Sequence, residues 1–315
     1  MKPIVAIIAP GQMGAAVGNR LSHNGLKVVT SLEGRSRDSA SRAAASSMVA
    51  VSLDELAAAD IFLSIVPPGE AESLAHRLAP ALTRAPKKPV YVDCNAVSPR
   101  TVEAIAAIVE TTGTPFVDAG IIGGPPKPGA AGPVFYLSGE RAGDVAALGE
   151  FGLVCKVLDG PIGAASALKM SYGGITKGLT ALASVMILAA ARAGTADALR
   201  RELGDSQPML LAWFERQIPS MFGKAYRWVA EMEEIAEFVS ADAAAQELFI
   251  GNAHLYERLA VDFAGAKAEC GQLALFSKNQ SERIPARPWN CTALLYRFRR
   301  HGRRDREFPT GPIQR

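Results

Sequence analysis

Cysteine, histidine and aromatic residues are scarce in this 315-residue chain, and each shortage removes a class of function. The four cysteines, Cys94, Cys155, Cys270 and Cys291, lie far apart with no paired spacing. That excludes a disulfide-stapled scaffold or a cysteine zinc site and fits the reduced thiols of a cytoplasmic protein. The histidines (His23, His76, His254, His301) are equally scattered, so no metal site is expected. The longest apolar run, Leu179–Ala191, has 13 residues, short of the roughly 20 that a membrane span requires. It reads as a buried helix, and no membrane partner is expected. Residues 1–6 enter a strand-like run without the charged, apolar and cleavage regions of a secretory leader. No internal repeat is present, and neither a Ser-His-Asp nor a Cys-His nucleophile pattern occurs.

What is present suits two domains with sizeable cores: 49% hydrophobic and 21% charged residues. The net charge of +3 is unevenly spread. From Asn279 onward nine arginines face three acidic residues, so the tail carries +6 and the remainder −3. The basic tail is the only feature pointing toward nucleic acid, and an isolated charge run is ordinarily just solvated.

The first 140 residues alternate strand-like and helix-like segments, the pattern of a parallel sheet wrapped by helices. Strands are expected at Ile4–Ala9, Lys27–Ser31, Ile61–Val66, Pro89–Asp93, Pro115–Asp118 and Val134–Ser138. Helices are expected at Met13–His23, Ser36–Ala45, Leu53–Ala58, Glu70–Leu82 and Pro99–Thr111. Beyond Gly160 the chain reads as helical, with segments Ile162–Ala193, Gln207–Gln217, Gly223–Val239 and Asp242–Ala264. The fold class is therefore an α/β Rossmann domain (residues 1–160) followed by an all-α domain (161–278). Residues 279–315 read as a poorly ordered basic extension.

The first strand runs into Ala9-Pro10-Gly11-Gln12-Met13-Gly14, with Gly18 one turn later. A glycine-rich turn between the first strand and helix lets backbone N–H groups meet a pyrophosphate. Ala9 stands where the first glycine of that fingerprint is usual. The second strand ends in Ser31-Leu32-Glu33-Gly34-Arg35-Ser36. An acid there holds ribose hydroxyls of NAD, whereas a guanidinium accommodates the 2′-phosphate of NADP. Glu33 argues for the first and Arg35 with Ser36 for the second, and the balance leans to NADP.

Four blocks in order carry a family resemblance: Ala9–Gly14; Asp93-Cys94-Asn95-Ala96-Val97-Ser98-Pro99; Asp118-Ala119-Gly120-Ile121-Ile122-Gly123-Gly124; and Gly160-Pro161-Ile162-Gly163 leading to Lys169. With Ser64-Ile65-Val66-Pro67-Pro68 they cover residues 1 to about 180. The chain resembles the β-hydroxyacid dehydrogenase superfamily, which includes 3-hydroxyisobutyrate, tartronate semialdehyde and 6-phosphogluconate dehydrogenases and related imine reductases. Its second half resembles a phosphogluconate-dehydrogenase-like C-terminal domain of unknown function. The resemblance implies Lys169 as general acid/base, with Lys177, two turns on, the weaker candidate. It places the cofactor on Gly11–Gly14, Val66, Pro67, Pro68 and Asn95, and a small-molecule substrate on Ile122, Gly123 and Gly124. It also implies pairing into a homodimer. Three departures stand out: Ile122 replaces a serine, Gly173 an asparagine four residues after the lysine, and Asn95 a small hydroxyl residue. They predict an apolar wall with extra room and a bulkier substrate, with Tyr172 supplying a replacement hydrogen bond. Inside a helix, Gly173-Gly174 implies close packing, a ligand against the backbone, or a kink. Around Lys224–Ile235, two stripes (Tyr226, Val229, Glu233 and Trp228, Met232, Ile235) predict an amphipathic helix, with Arg227 or Glu233 as the alternative cleft residues.

The leading expectation is a dehydrogenase or reductase of a β-hydroxy acid or related carbonyl. An imine or enamine reductase is the second. A silent dinucleotide-binding sensor or scaffold is the third, kept alive by Gly173.

Overall fold

The computed structural model describes residues 2–278, and the basic extension lies outside the described residues. One sheet runs through β1 (Ile4–Ile8), β2 (Lys27–Thr30), β3 (Val49–Ala50), β4 (Ile61–Ser64), β5 (Val90–Asp93), β6 (Phe116–Ile122), β7 (Val134–Ser138) and β8 (Val154–Val157). Its order is β3-β2-β1-β4-β5-β6-β7-β8, parallel throughout except for the antiparallel β6–β7 pair. That one pair departs from the parallel pattern of the sheet. Residues 123–133 turn the chain back directly, so β7 needs no crossover helix and must run antiparallel.

Alternate residues of each strand feed two cores. Val5 and Ile7 point to one, with Val17 and Leu21 of α1 (Gln12–His23) and Ala43 of α2 (Arg37–Ala45). Ala6 and Ile8 point to the other, with α3 (Leu53–Ala57), α4 (Ala71–Arg84) and α5 (Pro99–Glu110). Burial on both faces explains why strands such as Ile-Val-Ala-Ile-Ile are apolar throughout rather than alternating. The rings of Phe62, Tyr91 and Phe116 stack across β4, β5 and β6, with centroids 5.0 and 5.5 Å apart. A short helix, α6 (Ala142–Ala146), closes the sheet domain.

Six helices follow: α7 (Ala164–Arg192), α8 (Ala196–Ser206), α9 (Pro208–Met221), α10 (Ala225–Phe238), α11 (Ala243–Ala264) and α12 (Ala268–Lys278). They share a third core around Met170, Ile187, Ile218, Met232, Ile235, Tyr256 and Leu273. By length and composition α7 is apolar enough to cross a membrane, with a mean hydropathy of 1.6. Its buried residues pack in this third core and its first turns lie against β6. Residues 2–278 consequently form one compact unit rather than two separate bodies. The elements β3, β8, α6, α8 and α12 go unread in the sequence. β3 and β8 are short edge strands, and α8 presents only a narrow, partly buried stripe of Ala196, Leu199 and Leu203 to the third core.

The junction between sheet and helices rests on one buried carboxylate. Asp118 Oδ2 accepts hydrogen bonds from the backbone N–H of Gly163 (3.0 Å) and Ser166 (2.9 Å) and from Ser138 Oγ (3.1 Å). Its Oδ1 accepts one from Ser166 Oγ at 2.7 Å. A strand residue thereby caps the amino end of α7, whose own cap residue, Gly163, has no side chain to do so. Two residues further along β6, a Cβ on Gly120 would stand 2.7 Å from the Ala165 carbonyl oxygen and 3.3 Å from Lys169 Cβ. Only a glycine allows α7 to lie this close. We predict that Asp118→Ala, which orphans several buried donors, lowers unfolding free energy by about 2–4 kcal/mol. Urea denaturation followed by circular dichroism measures it, and a loss below about 1 kcal/mol would contradict the capping role.

Candidate active site

The carboxyl ends of β1, β4, β5 and β6 converge beneath α7 and α10. At β1, Gly11 is the N-cap of α1, extended and without a side-chain hydrogen bond to the helix. The neighbouring helices differ: Ser36, Ser52 and Ser98 cap α2, α3 and α5 by accepting from Ser39, Glu55 and Thr101 N–H. The first turn of α1, with Gln12, Met13 and Gly14, thus presents N–H groups that no capping side chain claims, as an anion site requires. A Cβ on Gly14 would fall 2.1 Å from the Ala9 carbonyl oxygen, so glycine is obligatory where α1 closes onto β1.

Past β2, Glu33 is exposed and Arg35 half-buried, while Ser36 is occupied as the cap of α2. An open groove of about 420 Å³ beside them is lined by Ser31, Leu32, Glu33, Val51 and Glu55, among others. Arg42, unread in the sequence, donates from Nε to the Pro10 carbonyl (3.1 Å) and from Nη2 to Ser39 Oγ (3.0 Å). It braces the glycine turn from α2, a contact 32 positions apart that no local pattern announces.

Val66 and Pro67 precede a short 3-10 turn, Pro68–Glu70. The Val66 N–H donates to Asn95 Oδ1 at 2.7 Å. Asn95 Nδ2 donates to Asp93 Oδ2 (2.8 Å) and Ser64 Oγ (2.9 Å). The Asn95 amide is buried and committed to tying the ends of β4 and β5 together. Asp93 is buried beside it, and loss of hydration pushes its carboxyl up to about 7 against the pull of the Asn95 donors.

Ile122, half-buried, ends β6, followed by Gly123 (φ +126°) and the exposed Gly124. Arg20 on α1 fixes the loop beyond them, donating from Nη2 to the carbonyls of Lys127 and Ala130, both at 2.9 Å.

On α7, Lys169 is half-buried at the cleft. Burial pushes its ammonium below the usual lysine range and the nearby Lys177 charge adds to that, while the carboxylates of Glu231 and Asp93 oppose it. Tyr172, expected to replace a lost hydrogen bond, is 52% exposed and adjoins the exposed Ile175. At Gly173 a Cβ would meet only ordinary contacts. A Cβ there would lie 3.6 Å from Ile235 Cδ1 and 3.9 Å from Lys177 Nζ, and one on Gly174 3.2 Å from the Phe249 ring. The glycine pair serves close packing of α10 and α11 on an unbroken α7, not a kink. Arg227 and Glu233 are exposed; the acids that face inward are Glu231 and Glu234. Glu231 pairs with Lys177, each side chain about one-fifth exposed, and the Lys177 ammonium stands 5.4 Å from the Trp228 ring centroid. Glu234 accepts from Ser98 N–H (2.7 Å) and Thr101 Oγ (2.9 Å), which ties α10 to α5. Among the described residues no His, Cys, Asp and Glu cluster suits a metal ion.

Residues 4–149 match the NAD binding domain of 6-phosphogluconate dehydrogenase, and residues 190–259 match a domain of unknown function, DUF1932. An uncharacterised 28.5 kDa protein of Methanothermus fervidus is 28% identical over 181 residues, 57% of this chain and 68% of that one. A conserved protein described as structurally similar to 3-hydroxyacid dehydrogenases superposes with a TM-score of 0.64 at 27% identity, over 86% of this chain and 99% of that one. For 3-hydroxyisobutyrate dehydrogenase of Mycobacterium tuberculosis the TM-score is 0.61 at 19% identity, over 84% and 96%. The two matched domains and the fold fit the β-hydroxyacid dehydrogenase superfamily.

The matched amino-terminal domain is of the nicotinamide-dinucleotide-binding kind. The residues present fit the cofactor: the uncapped amino end of α1 suits its pyrophosphate, and the β2 turn with its groove suits the adenosine end. A larger groove of about 860 Å³ lies at the opposite end of the sheet, by the amino ends of β1, β4 and β5. Its Asp60 and Lys87 pair with each other, as do Arg141 and Asp144, far from Lys169 in the fold.

The raised Asp93 carboxyl has a consequence for stability. A carboxyl higher in the folded than in the unfolded state stabilises the fold at low pH, and that contribution is lost as pH rises from about 4 to about 7. We predict that wild-type unfolding free energy carries a component falling by up to about 1.4 kcal/mol per pH unit across this window. Asp93→Asn, which cannot ionise, should remove that component. Denaturation at pH 4 to 8 decides it: parallel curves for the two proteins would contradict a buried, up-shifted Asp93.

Proposed function

We propose that this protein is an NAD(P)-dependent dehydrogenase or reductase of a β-hydroxy acid or related carbonyl compound, with Lys169 as general acid/base. The observation that carries the reading is the position of Lys169: its Cβ packs on Gly120 of β6, and its amine is desolvated where β5, β6, α7 and α10 meet. When bound, the nicotinamide supplies the hydride acceptor or donor. Lys169, as neutral amine, takes the hydroxyl proton as the carbinol carbon gives up its hydride, leaving a carbonyl. In the reductive direction its ammonium returns that proton. Gly123 and Gly124 offer backbone N–H groups to the substrate beside Ile122, and Tyr172 is placed one turn from Lys169.

NADP is favoured over NAD, since the half-buried Arg35 of the β2 turn offers a 2′-phosphate its guanidinium, against Glu33 on the same turn. The site of action is the cytoplasm, a reading supported by Cys94, Cys155 and Cys270 forming no disulfide among the described residues. The assembly is a homodimer. Its support is an apolar stripe on α7, where Tyr172, Ile175, Leu182 and Met186 are 52%, 71%, 59% and 54% exposed.

Two predictions follow from these roles. Oxidation of the best of a panel of 3-hydroxy acids by NADP⁺ should accelerate as pH rises through a lysine pKa below the ordinary 10.5, and reduction should slow over the same range. Lys169→Ala should lower kcat at least about 100-fold while the dinucleotide still binds. Absorbance of reduced nicotinamide follows both. Full turnover by the variant would overturn the assignment, and tight dinucleotide binding by a wild type with no turnover would favour a sensor. Secondly, Ile175→Glu combined with Leu182→Glu should convert a dimer into a monomer in sedimentation velocity. An unchanged sedimentation coefficient would refute the α7 interface.

A further inference from the structure

We infer that Lys177, locked by Glu231 and Trp228, is the anchor for a carboxylate on the substrate, and that it does the work a side chain at position 173 would otherwise do. The inference rests on the dehydrogenase reading above and names its substrate class: an acid, recognised as its anion.

The argument starts from helix geometry. Residues 169, 173 and 177 succeed one another at four-residue spacing and share one face of α7. Position 173 lacks a side chain. The space it vacates receives the end of the Lys177 side chain, whose Nζ lies 3.9 Å from where a Cβ would be. A lysine in a helix leans toward the amino end, so Lys177 reaches back over the preceding turn in the direction of Lys169. A bulkier residue than glycine at 173 would crowd that path.

Two contacts fix the amine there, and a third holds the backbone of the same residue. Glu231 pairs with it from α10, the Trp228 ring lies 5.4 Å away, and Tyr256 Oη donates to the Lys177 carbonyl at 2.5 Å. Glu231 is itself on the helix that Glu234 ties to Ser98 and Thr101 at the end of β5. The pair therefore belongs to the wall of the cleft, and both of its charges act on Lys169. The structural alternative is an ion pair that only joins α7 to α10. A pair with that role alone has no need of the empty position at 173 or of an end next to the proton-transferring lysine.

An ammonium has three N–H donors, and Glu231 and the ring face leave capacity for an incoming carboxylate. Glu231, oriented by the same pair, keeps the ammonium charged and aimed, which makes it a positioning residue. The departures at Ile122 and Gly173 then remove neutral polar contacts but leave a charged one. An apolar tail with an acid head is the substrate that this combination fits.

The test compares acids with their neutral esters. Wild type, Lys177→Met, Lys177→Arg and the double variant Lys177→Met/Glu231→Gln, which avoids an orphaned buried charge, are assayed with NADP⁺. Substrates are 3-hydroxybutanoate, 3-hydroxy-3-phenylpropanoate and their methyl esters, and calorimetry of each acid with the NADP⁺-loaded protein gives Kd directly. Expected in wild type is a preference for acid over ester. In Lys177→Met and in the double variant KM and Kd for the acids should rise about 10- to 100-fold, and the acid-to-ester ratio of kcat/KM should fall accordingly, any change transmitted through Lys169 being common to acids and esters. Lys177→Arg should keep the preference. If wild type turns over the panel but the variants leave the acid-to-ester ratio intact, the anchor is wrong and the dehydrogenase reading stands. Equal loss for acids and esters would mark the pair as a helix clamp only. If wild type turns over none of the panel, both fall.

Discussion

The capping of α7 by Asp118 is the contact on which the rest depends. It costs the burial of a carboxyl, whose pKa is raised by lost hydration even as four donors pull the other way. In return a helix of 29 residues starts at a fixed point on β6. Every functional residue of α7 inherits its position from that point: Lys169 in the second turn, Gly173 and Lys177 at successive steps toward α10. Gly120 makes the same junction close, since a side chain there would collide with the Ala165 carbonyl. Lys169, the proposed acid/base, is thus placed by a buried carboxylate on a neighbouring strand.

Around Lys169 the charges are arranged in opposition. Burial and Lys177 push its amine toward neutrality, while Glu231 and Asp93 draw it back. Asp93 is itself held near 7 by desolvation and is bonded to Asn95, which also orders the Val66 loop. The cleft joins its cofactor side to its proton-transfer side through a short buried chain: Val66 to Asn95 to Asp93, with Lys169 in electrostatic reach. A group poised between protonation states is what a reversible alcohol–carbonyl conversion requires.

Much of this was legible in the sequence. Strands of the inner sheet announce themselves as short apolar runs between glycine, proline and serine punctuation, and the turn at Gly11–Gly14 marks where α1 begins. Lys169 emerged from a resemblance, not from periodicity, because one lysine on a helix looks like any other. What could not be read is of two kinds. Edge strands β3 and β8 and the helix α8 lack a fully buried face, so no pattern distinguishes them. Contacts such as Asp118 to Gly163, Arg42 to Pro10 and Lys177 to Glu231 join residues 32 to 54 positions apart and exist only once the sheet and helices are assembled. The neighbours of Gly173 were hidden for the same reason: Ile235 and Lys177 come from another helix and from the next turn.

The central claim is that α7 holds the Lys169 amine desolvated and titrating below an ordinary lysine. The most direct measurement is a heteronuclear NMR titration of the lysine side chains, with Lys169 identified by its absence in Lys169→Arg. The account predicts a midpoint for Lys169 clearly below 10.5, moving upward when Asp118→Asn loosens the start of α7. A midpoint at or above the ordinary lysine value, indifferent to Asp118, would contradict it.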